Sequence, residues 1–120
     1  MKDTIKIKKA LQGVGIAPHM KGYYYLTDAI RIVKETTEKG EIFGGYTALY
    51  TIIGNEYKTS AGAVERAMRH AINAALANYT ALYAELFGAI RSKTTPCNAC
   101  FISVLAEYII FTSEEEKCEL

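Results

Sequence analysis

The chain has 120 residues, of which 50% are hydrophobic and 22% are charged, and its formal net charge is +1. This length suits one domain with one core, and the composition excludes a disordered chain. No apolar run exceeds four residues, which argues against a membrane-spanning helix and a secretory signal. Three cysteines without such a signal indicate a reduced, cytoplasmic protein rather than a disulfide framework.

Apolar residues recur at helical spacing along most of the chain and predict six helices. In chain order, the predicted ranges are 3–14, 22–38, 46–56, 60–77, 80–87 and 98–110, with a loop at 91–96. The predicted core positions include Ile7, Leu11, Val14, Leu26, Ala29, Ile30, Val33, Leu49, Tyr50, Ile53, Phe101, Ile102, Leu105 and Ile109. The predicted fold is therefore all-α, a single six-helix domain.

Charge divides the chain unevenly. The last nine residues hold four glutamates and one lysine, whereas residues 1–111 hold 13 basic and nine acidic groups. This pattern predicts a helical domain over 1–111 and an acidic, flexible tail over 112–120. The mildly basic domain is compatible with a polyanionic partner.

Residues 53–69 have the pattern of a helix-turn-helix. Gly54 is the small residue that lets the two helices cross closely, and Lys58 with Thr59 forms the turn. Either Thr59 or Ser60 is available to cap the second helix. The predicted inner face of that helix consists of Val64, Ala67, Met68, Ala71 and Ala75.

The opposite face of the same helix is polar. Gly62, Glu65, Arg66, Arg69, His70 and Asn73 fall within an arc of about 140° at 100° per residue. Arginine can donate two hydrogen bonds to guanine, and glutamate can accept one from cytosine. A reading helix enters the major groove by its first two turns, where Glu65, Arg66 and Arg69 lie. The alternative is a solvated face on which Glu65 and Arg69 form an ordinary ion pair.

Further residues, in this helix, in the turn before it and ahead of the second helix, are candidates for contacts with the DNA backbone. They are Lys58, Thr59, Ser60, Gly62, His70, Asn73, His19 and Lys21. For His19 and Lys21, which precede the second helix, a plain solvated loop is an equal alternative.

Two segments of the sequence resemble a known family specifically. They are residues 64–72, Val-Glu-Arg-Ala-Met-Arg-His-Ala-Ile, and residues 19–23, His-Met-Lys-Gly-Tyr. Together with a weaker match over residues 86–106, they make the chain similar to the effector domain of the stage-zero sporulation protein A family. The resemblance runs from about Leu11 to Ile110.

This resemblance implies an all-helical domain that binds a short element of double-stranded DNA in tandem and regulates promoters. It implies base reading by Glu65, Arg66 and Arg69. It also implies contact with the housekeeping sigma subunit of RNA polymerase through the segment 81–90, which includes Phe87.

Two departures from the family pattern stand out. Gly62 and Ala63 replace a usual serine-arginine pair, which removes a DNA contact. The family's receiver domain is also absent, so the chain is interpreted either as a fragment or as a stand-alone relative.

The alternative function is a protein-interaction module of the same fold with weakened or lost DNA binding, acting on RNA polymerase or on a full-length relative.

Other chemistry is poorly supported by the sequence. Cys97 and Cys100 have metal-ligand and redox spacing, but four ligands for zinc are not apparent, and chance cysteines at a helix start are favoured. Paired acid-base carboxylates and glycine-rich phosphate loops do not occur. The sequence predicts no enzyme, no cofactor and no metal site.

Overall fold

All six predicted helices are present in the computed structural model, which describes residues 2–41, 43–88 and 95–118. The helices are α1 (Lys2–Gly13), α2 (Lys21–Glu38), α3 (Tyr46–Glu56), α4 (Ala61–Asn78), α5 (Ala81–Phe87) and α6 (Asn98–Cys118). No strand occurs within the described ranges, so the all-α prediction is confirmed. Residues 89–90 of the predicted polymerase-contacting segment and 91–94 of the predicted loop lie outside the described residues.

The last helix is longer than the sequence predicted. Its predicted end at about Ile110 is wrong, because α6 continues to Cys118 and includes most of the segment assigned to a tail. Glutamate and lysine are good helix formers, and the acidic composition that indicated solvation does not oppose helix formation. The extension also contacts the rest of the molecule, since Lys6 Nζ donates to Ser113 Oγ at 3.1 Å.

Helix α2 lies at the centre of the fold and packs against α1, α3, α4 and α6. Its closest approach to α4 is at Gly22. A Cβ at this position would overlap the Ala67 carbonyl oxygen and lie 2.8 Å from the Ala71 Cβ. The absence of a side chain at Gly22 therefore determines how closely α2 and α4 cross.

The predicted core stripes of α1, α2, α3 and α6 are buried without exception. Their shared core also contains residues outside the predicted stripes. Phe101, which belongs to the predicted stripe of α6, is among the largest fully buried side chains of this core. This core holds α4 with its inner face against α2 and α3.

One buried charge was not predicted. The Lys34 side chain, on α2, is 4% exposed and its Nζ lies 3.0 Å from Asp3 Oδ2 and 2.7 Å from Glu38 Oε1. Burial by itself lowers the pKa of Lys34, but the hydrogen bonds to Glu38 and Asp3 outweigh it and raise that pKa. The Lys34 hydrogen bond in turn lowers the pKa of Asp3. This ion pair ties the start of α1 to α2.

Candidate nucleic-acid interface

Helices α3 and α4 are joined by a tight turn over residues 57–60. Gly54 is buried, and a Cβ there would lie 2.7 Å from the Thr59 carbonyl oxygen. The Thr59 amide donates to the Gly54 carbonyl at 2.8 Å. As predicted, the turn depends on a residue without a side chain at position 54.

The start of α4 is capped by Ser60, one of the two predicted candidates. Its Oγ accepts a hydrogen bond from the Ala63 amide at 3.1 Å. Such a cap satisfies one of the free amides of the first turn and contributes about 1 kcal/mol. The first turn of α4 is thereby fixed at the surface, where Ser60 and Gly62 are exposed.

The inner face of α4 agrees with the predicted stripe. Val64, Met68, Ala71 and Ala75 are buried, and Ala67 is partly buried against the core. With these residues packed inward, the opposite face of α4 turns towards solvent. Its exposed members are Gly62, Arg66, Arg69, His70 and Asn73.

Glu65 differs from the rest of this outer face because it is only half-exposed. Its side chain is 44% exposed and forms an ion pair with Arg69, whose side chain is 56% exposed. The ion pair of the alternative interpretation is therefore present. Exposed pairs of this kind contribute roughly 0–1 kcal/mol, so they exchange partners at little cost.

Arg66 lies over the first turn of α4. Its Nη1 atom is 3.2 Å from the place that a Cβ of Gly62 would occupy. The absence of a side chain at position 62 thus leaves room for the Arg66 guanidinium beside the helix start.

The first residue of α6 and the segment before it adjoin the outer face of α4, a contact that the sequence analysis did not predict. Asn98 Nδ2 donates to the Glu65 carbonyl oxygen at 3.1 Å, and Thr95 Oγ1 donates to Asn73 Oδ1 at 2.8 Å. Burial raises the pKa of Tyr50 on α3, and a hydrogen bond with Asn98 opposes this rise. An asparagine at the start of a predicted helix can be read from the sequence, but its hydrogen-bond partner cannot, because that partner is distant in sequence.

A cavity of about 360 Å³ lies between this segment and the outer face of α4. The residues that line it include Tyr50, Glu65, Arg69, Thr95, Cys97 and Asn98.

The predicted backbone contacts Lys21 and Lys58 lie together. Both line a cleft of about 400 Å³ beside the turn, where Tyr24, Tyr57 and Thr59 are also found. Burial, and then the 2.6 Å hydrogen bond that the Tyr57 hydroxyl donates to Asp28, raise the pKa of Tyr57 well above its ordinary value. The Tyr57 hydroxyl is therefore held by Asp28 in the same cleft as the two lysines.

The remaining predicted residues lie elsewhere on the surface. His19 is exposed in the connector before α2. Phe87 is half-buried at the end of α5, where its ring stacks on Phe101 with centroids 5.2 Å apart. Cys97 and Cys100 are exposed free thiols. No cluster of three or more histidine, cysteine or acidic side chains suited to a metal ion occurs among residues 2–41, 43–88 and 95–118.

The comparison with known families decides what kind of domain this is. A family model described as "Sporulation initiation factor Spo0A C terminal" matches residues 7–109. The chain belongs to this family. Spo0A C-terminal domains are DNA-binding domains of sporulation transcription regulators and not an enzyme family, so the resemblance noted from residues 19–23 and 64–72 is confirmed. None of the described helices is both long and apolar enough to cross a membrane.

The match to the Spo0A C-terminal family includes all of α2, α3, α4 and α5 and most of α6. The turn at 57–60, the capped start of α4 and its exposed arginines all lie within the matched range. The acidic end of α6 lies beyond it.

Proposed function

We propose that this domain regulates transcription by sequence-specific binding of double-stranded DNA, with α4 in the major groove. Glu65, Arg66 and Arg69 contact the base edges. The observation that carries the proposal is the exposure of both arginines on the face of α4 opposite its buried stripe. A helix held in this way can enter the groove without unfolding any part of the core.

The ion pair between Glu65 and Arg69 is suited to reading bases. A carboxylate beside a guanidinium limits the positions that the guanidinium occupies, which favours the bidentate contact to the O6 and N7 atoms of guanine. Glu65 can accept at the same time from the amino group of a neighbouring cytosine, because a carboxylate has more than one acceptor site. The pair then acts as one reading unit, with Arg66 as a second unit nearer the helix start.

Phosphate contacts are proposed for the residues around the turn. Lys21 and Lys58 provide positive charge from one cleft, and the capped helix start offers backbone amides near Ser60 and Gly62. His70 and Asn73 extend the same exposed face by one turn, and His19 lies in the connector before α2. Such contacts fix the register of the helix in the groove but carry no sequence information.

Further partners follow from the resemblance to the family. We propose that two copies bind DNA in tandem or as a dimer, and that the surface of α5 near Phe87 contacts the sigma subunit of RNA polymerase. Because the Phe87 ring is stacked on Phe101, the contact would involve the exposed residues Ala81 and Glu85 of the same helix. The cytoplasm is the proposed location, and the division at residue 112 into a domain and an acidic end stays a proposal.

A second candidate function is a protein-interaction module that retains the fold but binds DNA weakly. The ion pair between Glu65 and Arg69 favours this alternative, because it satisfies both side chains without DNA. The replacement of the family's serine-arginine pair by Gly62 and Ala63 favours it as well. In this case the chain would act by pairing with RNA polymerase or with a full-length relative.

Selection of bound sequences from a random duplex pool, at a stated salt concentration, separates the two functions. A DNA reader enriches one short element, and the spacing of repeated elements reveals tandem binding. Its affinity also falls steeply with salt, with a logarithmic slope of about −0.9 for each phosphate contact. A pool that shows no enrichment, together with a shallow salt slope, would rule out the DNA reader and leave the interaction module as the proposed function.

Arg66→Ala tests the reading residues on the selected element. We expect a loss of about 1–3 kcal/mol in binding free energy and relaxed preference at one base pair, measured by titration against single-base variants. Lys39→Ala is the matched control, because it also removes one exposed positive charge. Lys39 caps the far end of α2, roughly 26 Å along the axis from Gly22, where α2 crosses α4. If the Arg66 variant discriminates between bases as well as the control, Arg66 is not a reader.

A further inference from the structure

Two cysteines lie at the start of α6 in an arrangement that suits a reversible disulfide. Cys97 and Cys100 are both exposed and both free. The Cys97 carbonyl accepts from the Phe101 amide at 2.9 Å, and its Sγ accepts from the Cys100 amide at 3.4 Å. Because this amide nitrogen and the Cys100 Cβ are bonded to the same Cα, the Cys97 sulfur lies close to the side chain of Cys100.

This pair adjoins the outer face of α4. Cys97 lines the same cavity as Glu65 and Arg69. Asn98, which lies between the two cysteines in sequence, donates the 3.1 Å hydrogen bond to the Glu65 carbonyl oxygen. A change in the first turn of α6 therefore acts directly on a residue of the proposed reading face.

We propose that Cys97 and Cys100 form a thiol-disulfide switch that exchanges with low-molecular-weight disulfides, and that its oxidation weakens DNA binding by α4. The effect on DNA rests on the proposed function, whereas formation of the disulfide does not.

The chemistry is two successive thiol-disulfide exchanges. The Cys97 thiolate attacks one sulfur of the small disulfide, forms a mixed disulfide and expels the other sulfur as a thiolate. The Cys100 thiolate then attacks the Cys97 sulfur, forms the Cys97–Cys100 bond and releases the second small thiolate. The two cysteines are oxidised, the small disulfide is reduced to two thiols, and the two cysteine protons end on those thiols.

Oxidation changes the geometry of the helix start. The disulfide closes a ring that contains Asn98, and it requires the two Cβ atoms to lie about 3.5–4.5 Å apart. The Cys97 sulfur turns from the Cys100 amide towards the Cys100 sulfur, and the backbone of Asn98 shifts with it. The hydrogen bond from Asn98 to Glu65 is then weakened, together with the position of Glu65 and of its partner Arg69.

The test uses the full chain carrying Cys118→Ser, so that only the two cysteines of the pair remain. The reduced protein is treated with oxidised glutathione, and peptide mass analysis identifies the product. We expect a Cys97–Cys100 disulfide, shifted amide resonances at Glu65 and Asn73, and roughly five- to tenfold weaker binding to the selected element, which is the effect of one lost hydrogen bond. A thiol reductant should restore all three.

The matched control adds Cys97→Ser and Cys100→Ser, which retain an oxygen in place of each sulfur. This variant should bind DNA as the reduced protein does and should not respond to oxidised glutathione. A lasting glutathione adduct without the internal disulfide would overturn the proposal, as would a disulfide that leaves the Glu65 and Asn73 resonances unchanged. If the reduced protein fails to bind DNA, the proposed function fails. Peptide mass analysis and the amide resonances still show whether the Cys97–Cys100 disulfide forms and whether it changes the surroundings of Glu65 and Asn73.

Discussion

Lys58 occupies a left-handed backbone conformation that favours glycine and is unfavourable for most residues with a side chain. Its φ is +57°, in the left-handed region, which costs a residue with a Cβ roughly 1–2 kcal/mol. The same residue is exposed and shares a cleft with Lys21 beside the start of α4. A charged side chain at a position that suits glycine is consistent with a function in binding phosphate.

Replacement of Lys58 by glycine and by alanine separates strain from charge. Lys58→Gly should be more stable than Lys58→Ala by about 1 kcal/mol in the free energy of unfolding, measured with urea, because only glycine relieves the strained φ. Both variants should lose affinity equally for specific and random DNA, with a salt slope that is shallower by about 0.9. A loss confined to one DNA sequence would assign Lys58 to base reading instead.

At the scale of single residues, local signals could be read from the sequence and distant contacts could not. The Ser60 cap and the small residue at Gly54 follow from patterns within a few positions, and the structure confirms both. Asn98 and Glu65 are 33 positions apart, and Lys34 and Asp3 are 31 apart. Contacts of that kind depend on how the helices are arranged, which periodicity alone does not provide.

The arrangement of α2 and α4 depends on one position. Gly22 faces the backbone of α4, and the proposed reading residues of α4 are oriented by this crossing. A methyl group there would force the helices apart and turn the arginines of α4 relative to Lys21 and Lys58.

Gly22→Ala should therefore destabilise the domain, although the substitution adds only one methyl group. We expect a loss of about 1–3 kcal/mol in the free energy of unfolding, the usual cost of overpacking a tight contact. Gly44→Ala is the matched control, because a Cβ at Gly44 meets nothing within 4 Å. Thermal or urea unfolding of the two variants gives the comparison. Equal stability of the two would show that the crossing of α2 and α4 can relax.

Whole helices were predicted more accurately than their last boundary. The first five predicted ranges agree with the structure to within one residue at each end. Glycines and the capping residues Ser60 and Thr80 mark several of these junctions. The end of α6 has no such mark, since Ile110 is followed by residues that can continue a helix. An acidic composition indicates exposure to solvent, and it was wrongly taken to indicate the end of the helix.

For the molecule as a whole, the acidic end of the chain opposes the positive charge that the proposed DNA contacts require. Residues 114–120 contain four glutamates and one lysine, so their removal raises the formal net charge from +1 to +4. The Lys6 contact to Ser113 and the core residue Ile109 lie before this segment. A chain that ends at Ser113 should therefore retain the fold.

This shortened chain should bind random duplex DNA about threefold more tightly at low salt, because repulsion between its end and the phosphates is removed. The gain should largely vanish near physiological salt, where the Debye length falls to about 8 Å. The preferred sequence should not change, since none of the removed residues is among the proposed base-reading residues. Fluorescence titration at several salt concentrations measures both the gain in affinity and its dependence on salt.

A full-length variant with Glu114, Glu115 and Glu116 all changed to glutamine carries the same net charge of about +4, and it should bind like the shortened chain if charge alone is responsible. Weaker binding by both variants would show instead that the acidic end assists DNA binding.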